Sequence, residues 1–103
     1  MTDRMLDRAL IARFDGEMEQ IYWRAKNEIH YNATRFLQMF SEHGGLDTAH
    51  RLLEGDSISY GFTELYLAGR LDLTVEALVQ RPEFAMLFST EELAKARSRT
   101  GGR

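Results

Sequence analysis

The stretch Ile11-Ala12-Arg13-Phe14-Asp15-Gly16-Glu17-Met18-Glu19-Gln20-Ile21-Tyr22-Trp23-Arg24-Ala25 decides the fold class. Ile11, Phe14, Met18, Ile21 and Ala25 recur at spacings of three and four, which on a helix makes one apolar stripe. Leu10, Tyr22 and Ile29 widen that stripe beyond a narrow coiled-coil seam. Followed outward, the pattern predicts a first helix over about residues 3–29. Gly16 falls on its polar side, where it costs about 1 kcal/mol relative to alanine. A helix of this length exceeds what a small bundle needs, so its first turns, with Met5, Leu6 and Leu10, are expected to project and offer apolar surface.

Beyond it the chain reads as a run of short helices with recognisable ends. Asn32 is a good N-cap for a helix carrying Phe36, Leu37 and Phe40 on one face, and Gly44-Gly45 supplies the left-handed turn that ends it. Asp47 then caps a short helix with Ala49, Leu52 and Leu53 inward, closed by Gly55. Residues 60–68 form another, turning Phe62, Leu65 and Tyr66 inward and stopping at Gly69. Asp72 or Thr74 starts a helix with Val75, Leu78 and Val79 buried, and Arg81, preceding Pro82, leaves the helical region. Ser89 and Glu92 form a capping box for the last helix, with Phe88 and Leu93 in the two positions of a hydrophobic staple. Residues 98–103 read as a frayed polar tail. The expectation is an all-α bundle of five to six helices in one domain, residues 1–103: a long N-terminal helix, a short-helix body over about 32–98 and a tail over 99–103. Phe36, Leu37, Phe40, Leu52, Leu53, Phe62, Leu65, Val75, Leu78 and Val79 are its expected core.

Composition agrees. At 103 residues with 44% hydrophobic and 28% charged side chains, the chain has material for one core and no sign of global disorder. It has one proline, two valines and no cysteine. The missing cysteines remove disulfides, thiolate metal sites and thiol catalysis, and favour a reducing compartment. The N-terminus mixes Asp3 and Asp7 with Arg4 and Arg8, unlike a secretory signal, and no run approaches the ~20 apolar residues of a membrane span. A cytoplasmic protein that does not engage the membrane is expected.

Several tracts carry a resemblance: Tyr31-Asn32-Ala33-Thr34-Arg35-Phe36-Leu37-Gln38-Met39, the Gly44-Gly45 turn, Gly61-Phe62-Thr63, and Gly69-Arg70-Leu71-Asp72-Leu73-Thr74-Val75-Glu76-Ala77-Leu78-Val79, with Pro82-Glu83-Phe84 and Leu87-Phe88. Over about residues 20–99 the chain resembles a small bacterial all-helical domain found in uncharacterised proteins. The resemblance implies a recurrent helix order and brings no activity, so no catalytic residue follows from it.

The residues themselves argue against an enzyme. His43 and His50 are separated by the glycine break, and no His-x-x-x-His or acidic calcium-loop pattern occurs. His43 reads as a helix C-terminal residue favouring the dipole, and His50 as a surface residue beside Arg51. Asp15, Glu17 and Glu19 alternate along an outer helix face, and Glu91 and Glu92 offset a helix dipole, so no two carboxylates converge as acid–base chemistry requires. No serine sits in a nucleophile elbow, no lysine in an apolar run, and Gly44-Gly45 lacks the rest of a phosphate loop. Neither a cofactor nor a metal is expected.

Two binding readings remain. Residues 36–45, 47–53 and 62–68 have a helix–turn–helix cadence, the signature of a nucleic-acid-associated accessory or regulatory domain, for example in a bacterial defence or regulatory system. The helix that would enter the groove, however, offers Thr63, Glu64 and Tyr66 without arginine or lysine. Residues 31–94 carry ten acids against Arg35, Arg51, Arg70 and Arg81, while Lys95, Arg97, Arg99 and Arg103 make the last nine residues basic. An acidic body with a short basic tail neutralises phosphate poorly, so nucleic acid is the runner-up. The leading reading is a protein-interaction module that binds another protein or a second copy, as a homodimer, through the first helix. Leu6, Leu10, Phe14, Tyr22 and Trp23 are its candidate anchors, with Trp23 open to two roles, core edge or interface. A small-ligand role is neither supported nor excluded.

Overall fold

The computed structural model describes residues 2–101, with side chains from residue 8 onward. Among them are five α-helices, α1 (Thr2–Ile29), α2 (Thr34–Leu53), α3 (Tyr60–Leu67), α4 (Val75–Val79) and α5 (Thr90–Arg99), with 3₁₀ turns at Leu71–Leu73 and Pro82–Leu87 and no strand. At 1.5 Å per residue a 28-residue helix spans about 42 Å, so α1 sets the longest dimension of the molecule, 43 Å. No helix among the described residues is long and apolar enough to cross a membrane.

The stripe read in α1 is the spine of the core. Phe14, Met18, Ile21, Ala49, Leu53, Val75, Leu78, Val79, Phe84, Phe88 and Ala96 form one buried cluster against which Leu10, Phe36, Phe40 and Leu52 pack. Phe14 meets Phe84 edge-on at 5.2 Å and Phe88 at 5.4 Å. A second, smaller cluster of Ala25, Leu65 and Leu73, with Ile29 and Tyr31 against it, holds α3. Leu37 departs from the expected core. It is exposed, because one helical step past Phe36 turns it away from the single side on which α1 covers α2.

The ends of the helices show which local signals won. Ala33, not Asn32, precedes α2 and has no polar side chain to cap it, while the Asn32 Oδ1 accepts from the Tyr22 hydroxyl at 3.0 Å. The expected break falls at Gly44-Gly45: Gly44, at φ 80° and ψ 168°, is non-helical, and the two halves of α2 meet there across a kink. The second glycine has a separate role. A Cβ on Gly45 would lie 3.0 Å from the Cα of Asp15, so only glycine lets α1 and α2 approach this closely. Asp15 exploits that approach: its Oδ1 accepts from the Leu46 amide at 3.2 Å, capping the second half of α2 from another helix. Asp47, expected in that role, instead binds Arg51 one turn on at 3.0 Å.

Other signals survive intact. The Thr74 hydroxyl accepts from Ala77 N at 3.0 Å to start α4, and Arg81 is extended (ψ 134°) before Pro82. Ser89 Oγ accepts from Glu92 N at 3.1 Å while Glu92 Oε1 accepts from Ser89 N at 2.9 Å, the complete capping box. Replacing Ser89 by alanine is therefore expected to cost about 1 kcal/mol in chemical denaturation, with α5 retained. A loss below a few tenths would show that Glu92 and the core hold this helix start without the hydroxyl.

The C-terminal segment is not a frayed tail through its described residues. α5 runs to Arg99, and the Thr100 hydroxyl accepts from Gln80 Nε2 at 2.9 Å. Lys95 donates to the carbonyl of Gly55 at 2.6 Å, and Arg99 to those of Leu52, Gly55 and Ser57, so basic residues of α5 satisfy the carbonyls where α2 ends.

Candidate functional site

The five anchors expected on α1 do not share a free surface. Phe14 is fully buried at the centre of the main cluster, and Tyr22 is buried against Phe36, their rings stacked at 6.4 Å. Leu10 is half-buried against the core. The Leu6 side chain lies outside the described residues. Of the four whose side chains are described, Trp23 alone stays open, 43% exposed, its ring edge-on to Tyr22 at 5.1 Å and the Lys26 ammonium 5.2 Å from its centre. The broad stripe of α1 was a broad core face, wide because α2, α4 and the 3₁₀ turns all pack on it.

The unpartnered apolar surface lies on α3 instead. Seven large apolar side chains are exposed among the described residues, and four of them, Ile58, Tyr60, Tyr66 and Leu67, sit on α3 or the loop entering it at 50–72% exposure. Tyr66, expected inside, is one of these: it stacks on Phe62 at 6.5 Å but stands outside it. At 3.6 residues per turn, Tyr66, Thr63, Leu67 and Tyr60 follow one another around roughly 120° of the helix, opposite the buried Leu65. The helix is thus apolar on its inner face and on most of its outer one, a pattern that belongs to buried helices.

α3 is rigidly bounded for so short an element. Ser59 Oγ accepts from Phe62 N at 3.1 Å at its start. At its end Gly69 adopts φ 73° while Arg70 N donates to Leu65 O and Gly69 N to Tyr66 O, the paired bonds of a Schellman closure. Arg70 then fixes the exit to α1, binding Glu28 at 2.7 Å and Asp72 at 3.0 Å. Hydrogen bonds from Arg24 and Arg70 hold the Glu28 carboxyl below its usual range, and Arg70 does the same for Asp72. The Tyr60 hydroxyl donates to Glu64 at 3.2 Å, and that carboxylate pushes the phenol's pKa up. Residues 54–69 contain Glu54, Asp56 and Glu64 and no basic side chain.

Between α3 and the helices it leans on lies a cavity of about 390 Å³. Ile21, Ala25, Phe36, Phe62, Leu65 and Leu73 give it an apolar floor, and the consecutive residues Tyr31 to Arg35, with Tyr60, edge its mouth. Glu76 reaches its wall as well. That carboxylate is 3% exposed, and Arg99 donates to it at 3.2 Å. Burial pushes the Glu76 carboxyl above its usual pKa despite the arginine. This buried pair had no local signal in the sequence, since its members stand 23 residues apart in two amphipathic helix ends.

Two histidines are tied to neighbours. His50, read as a surface residue, instead bridges α2 to α5, with Nδ1 2.6 Å from Glu92 Oε2 and its ring 5.0 Å from that of Phe88. His43 lies 3.6 Å from Asp47. Among the described residues no group of three or more histidine, aspartate or glutamate side chains is placed to hold a metal ion. No protein-family model, curated protein or solved structure matches the chain.

Proposed function

We propose that the chain is a non-enzymatic protein-interaction module and that it engages its partner through α3. The observation that carries this reading is the outer face of α3, where Tyr60, Tyr66 and Leu67 stand exposed on a helix whose ends are firmly fixed. Clustered exposed apolar side chains rimmed by polar ones mark interaction surfaces, and tyrosine is enriched among the residues that dominate binding energy. Glu64, the one charged side chain of α3, borders this face and is bonded to Tyr60. The partner this suits is another protein presenting an apolar helix flanked by basic residues; two copies would bring like charges together.

Nucleic acid is disfavoured by the same charges and by the fate of the C-terminal cations. Lys95 and Arg99 are engaged by backbone carbonyls and by Glu76, so two of the C-terminal cations are not free to meet phosphates.

The test is a partner captured from native extract and then purified. It should bind the wild-type chain and protect residues 58–67 from hydrogen exchange. The double variant Tyr60→Ser/Leu67→Ser should bind about thirtyfold more weakly, as expected for loss of a hot spot worth ~2 kcal/mol. Equal binding by the variant would remove α3 from the interface. Light scattering should give a monomer; a dimer dissolved by Leu67→Glu would instead identify a second copy as the partner.

A further inference from the structure

The geometry points to a second binding function, independent of the outer face of α3: the cavity beneath that helix takes a small amphipathic carboxylate, an apolar body ending in one anionic group. Its volume of about 390 Å³ lies in the range of small-molecule sites, which are typically apolar with a few placed polar groups. Taking the ~30 Å³ share of a water molecule as a yardstick, it accommodates roughly a dozen non-hydrogen atoms. The floor, including Ala25, Phe62 and Leu65, offers such a body nothing but carbon. Water resting on that floor has few partners, so an apolar group that displaces it gains affinity.

The charge of the ligand follows from the two ionic side chains in the wall. Glu76 is already bound by Arg99, so it leaves no free anion to attract a cation. Arg35 is the reverse case. It stands at the mouth with no ion pair or hydrogen bond to any described residue, whereas Arg24, Arg51, Arg70, Arg81 and Arg99 are all paired. A guanidinium takes a carboxylate with two parallel hydrogen bonds, which fixes both the charge and the orientation of the ligand. Asn32, beside it, has its Oδ1 occupied by Tyr22, so the side-chain group it can offer a ligand is the donor Nδ2.

Octanoate, 1-octanol and octylammonium share one chain and differ in charge, so they separate the two halves of the assignment. Followed by amide chemical shifts, octanoate should bind saturably, shifting Ala25, Phe36 and Phe62, about tenfold more tightly than 1-octanol, with octylammonium weakest. Arg35→Gln, an exposed position, should bring octanoate down to the level of 1-octanol. Gly61→Leu blocks the mouth. A Cβ there meets the Tyr31 hydroxyl at an ordinary 3.5 Å, so the fold should persist while both ligands are lost. Octanoate that binds no better than 1-octanol, or equally well after Arg35→Gln, overturns the anion assignment. No saturable binding of either, or shifts confined to the outer face of α3, overturns the cavity as a site.

Discussion

Arg99→Ala is expected to destabilise the fold by about 3–5 kcal/mol, seen as a lower denaturation midpoint at unchanged slope. The magnitude follows from what the guanidinium leaves behind. Glu76 is 3% exposed and the Arg99 side chain 8%, so both charges are largely withdrawn from water. The same group also donates to the carbonyls of Leu52, Gly55 and Ser57. Removing it strands a buried carboxylate and the part-buried Leu52 carbonyl, whereas the exposed carbonyls of Gly55 and Ser57 return to water, and a buried acceptor left unmade costs far more than a hydrogen bond gains. The exposed pairs of Arg24 and Arg70 are more numerous but stay in high dielectric, where an ion pair is typically worth under 1 kcal/mol.

The pH dependence of that variant gives a second handle. Burial raises the folded pKa of Glu76 above its ordinary 4.5, with Arg99 acting in the opposite direction. A carboxyl raised in the folded state contributes stability that is present below the unfolded value and lost as pH rises through the folded one. Without Arg99 the pKa rises further, so the loss widens. The deficit of Arg99→Ala relative to wild type should therefore shrink as pH falls through the raised pKa of Glu76, because protonation removes the stranded charge. A loss under about 1 kcal/mol at neutral pH would mean that water replaces the guanidinium at both partners.

What could be read in advance was whatever local chemistry decides. Ser89 with Glu92, Thr74 before Val75, and Gly69 after α3 each complete their motif within six residues, so nothing distant competes. Asn32 shows the opposite. It stands one position before the residue that precedes α2, and its oxygen accepts from the Tyr22 hydroxyl ten residues earlier. At Gly44-Gly45 the local signal named a break but not its purpose, because the partner that caps the following turn is Asp15, 31 residues away. Faces were legible where several elements converge, as for Phe62, Leu65, Val75 and Leu78. They failed where one side of a helix is covered, as for Leu37 and Tyr66. Phe14 and Tyr22 looked available as anchors for the same reason. A wide apolar stripe on a long helix looks alike whether partners are internal or external, and only the packing of α2 and α4 on α1 assigns Phe14 and Tyr22 inward.

Phe84→Ala is expected to cost about 3–5 kcal/mol, while Phe36→Ala, an equal change in side-chain volume, should cost clearly less. Both rings belong to the core, but they differ in what surrounds them. Phe84 is fully buried, edge-on to Phe14 at 5.2 Å, with the Arg13 guanidinium 5.7 Å from its ring centre. It is also the buried anchor of the 3₁₀ turn Pro82–Leu87, so its loss leaves a closed void and loosens the link between α4 and α5. Phe36 is half-buried and already forms one wall of the 390 Å³ cavity. Truncating it enlarges a space that water reaches rather than opening a sealed one, so the cavity part of the penalty is mostly absent. Against a net stability of about 5–15 kcal/mol for a domain of this size, Phe84→Ala removes a large fraction and Phe36→Ala leaves a folded protein. Denaturation of both variants under one set of conditions is the measurement. Equal losses would show that Phe36 is as tightly enclosed as Phe84, and a ligand would then have no open floor to reach.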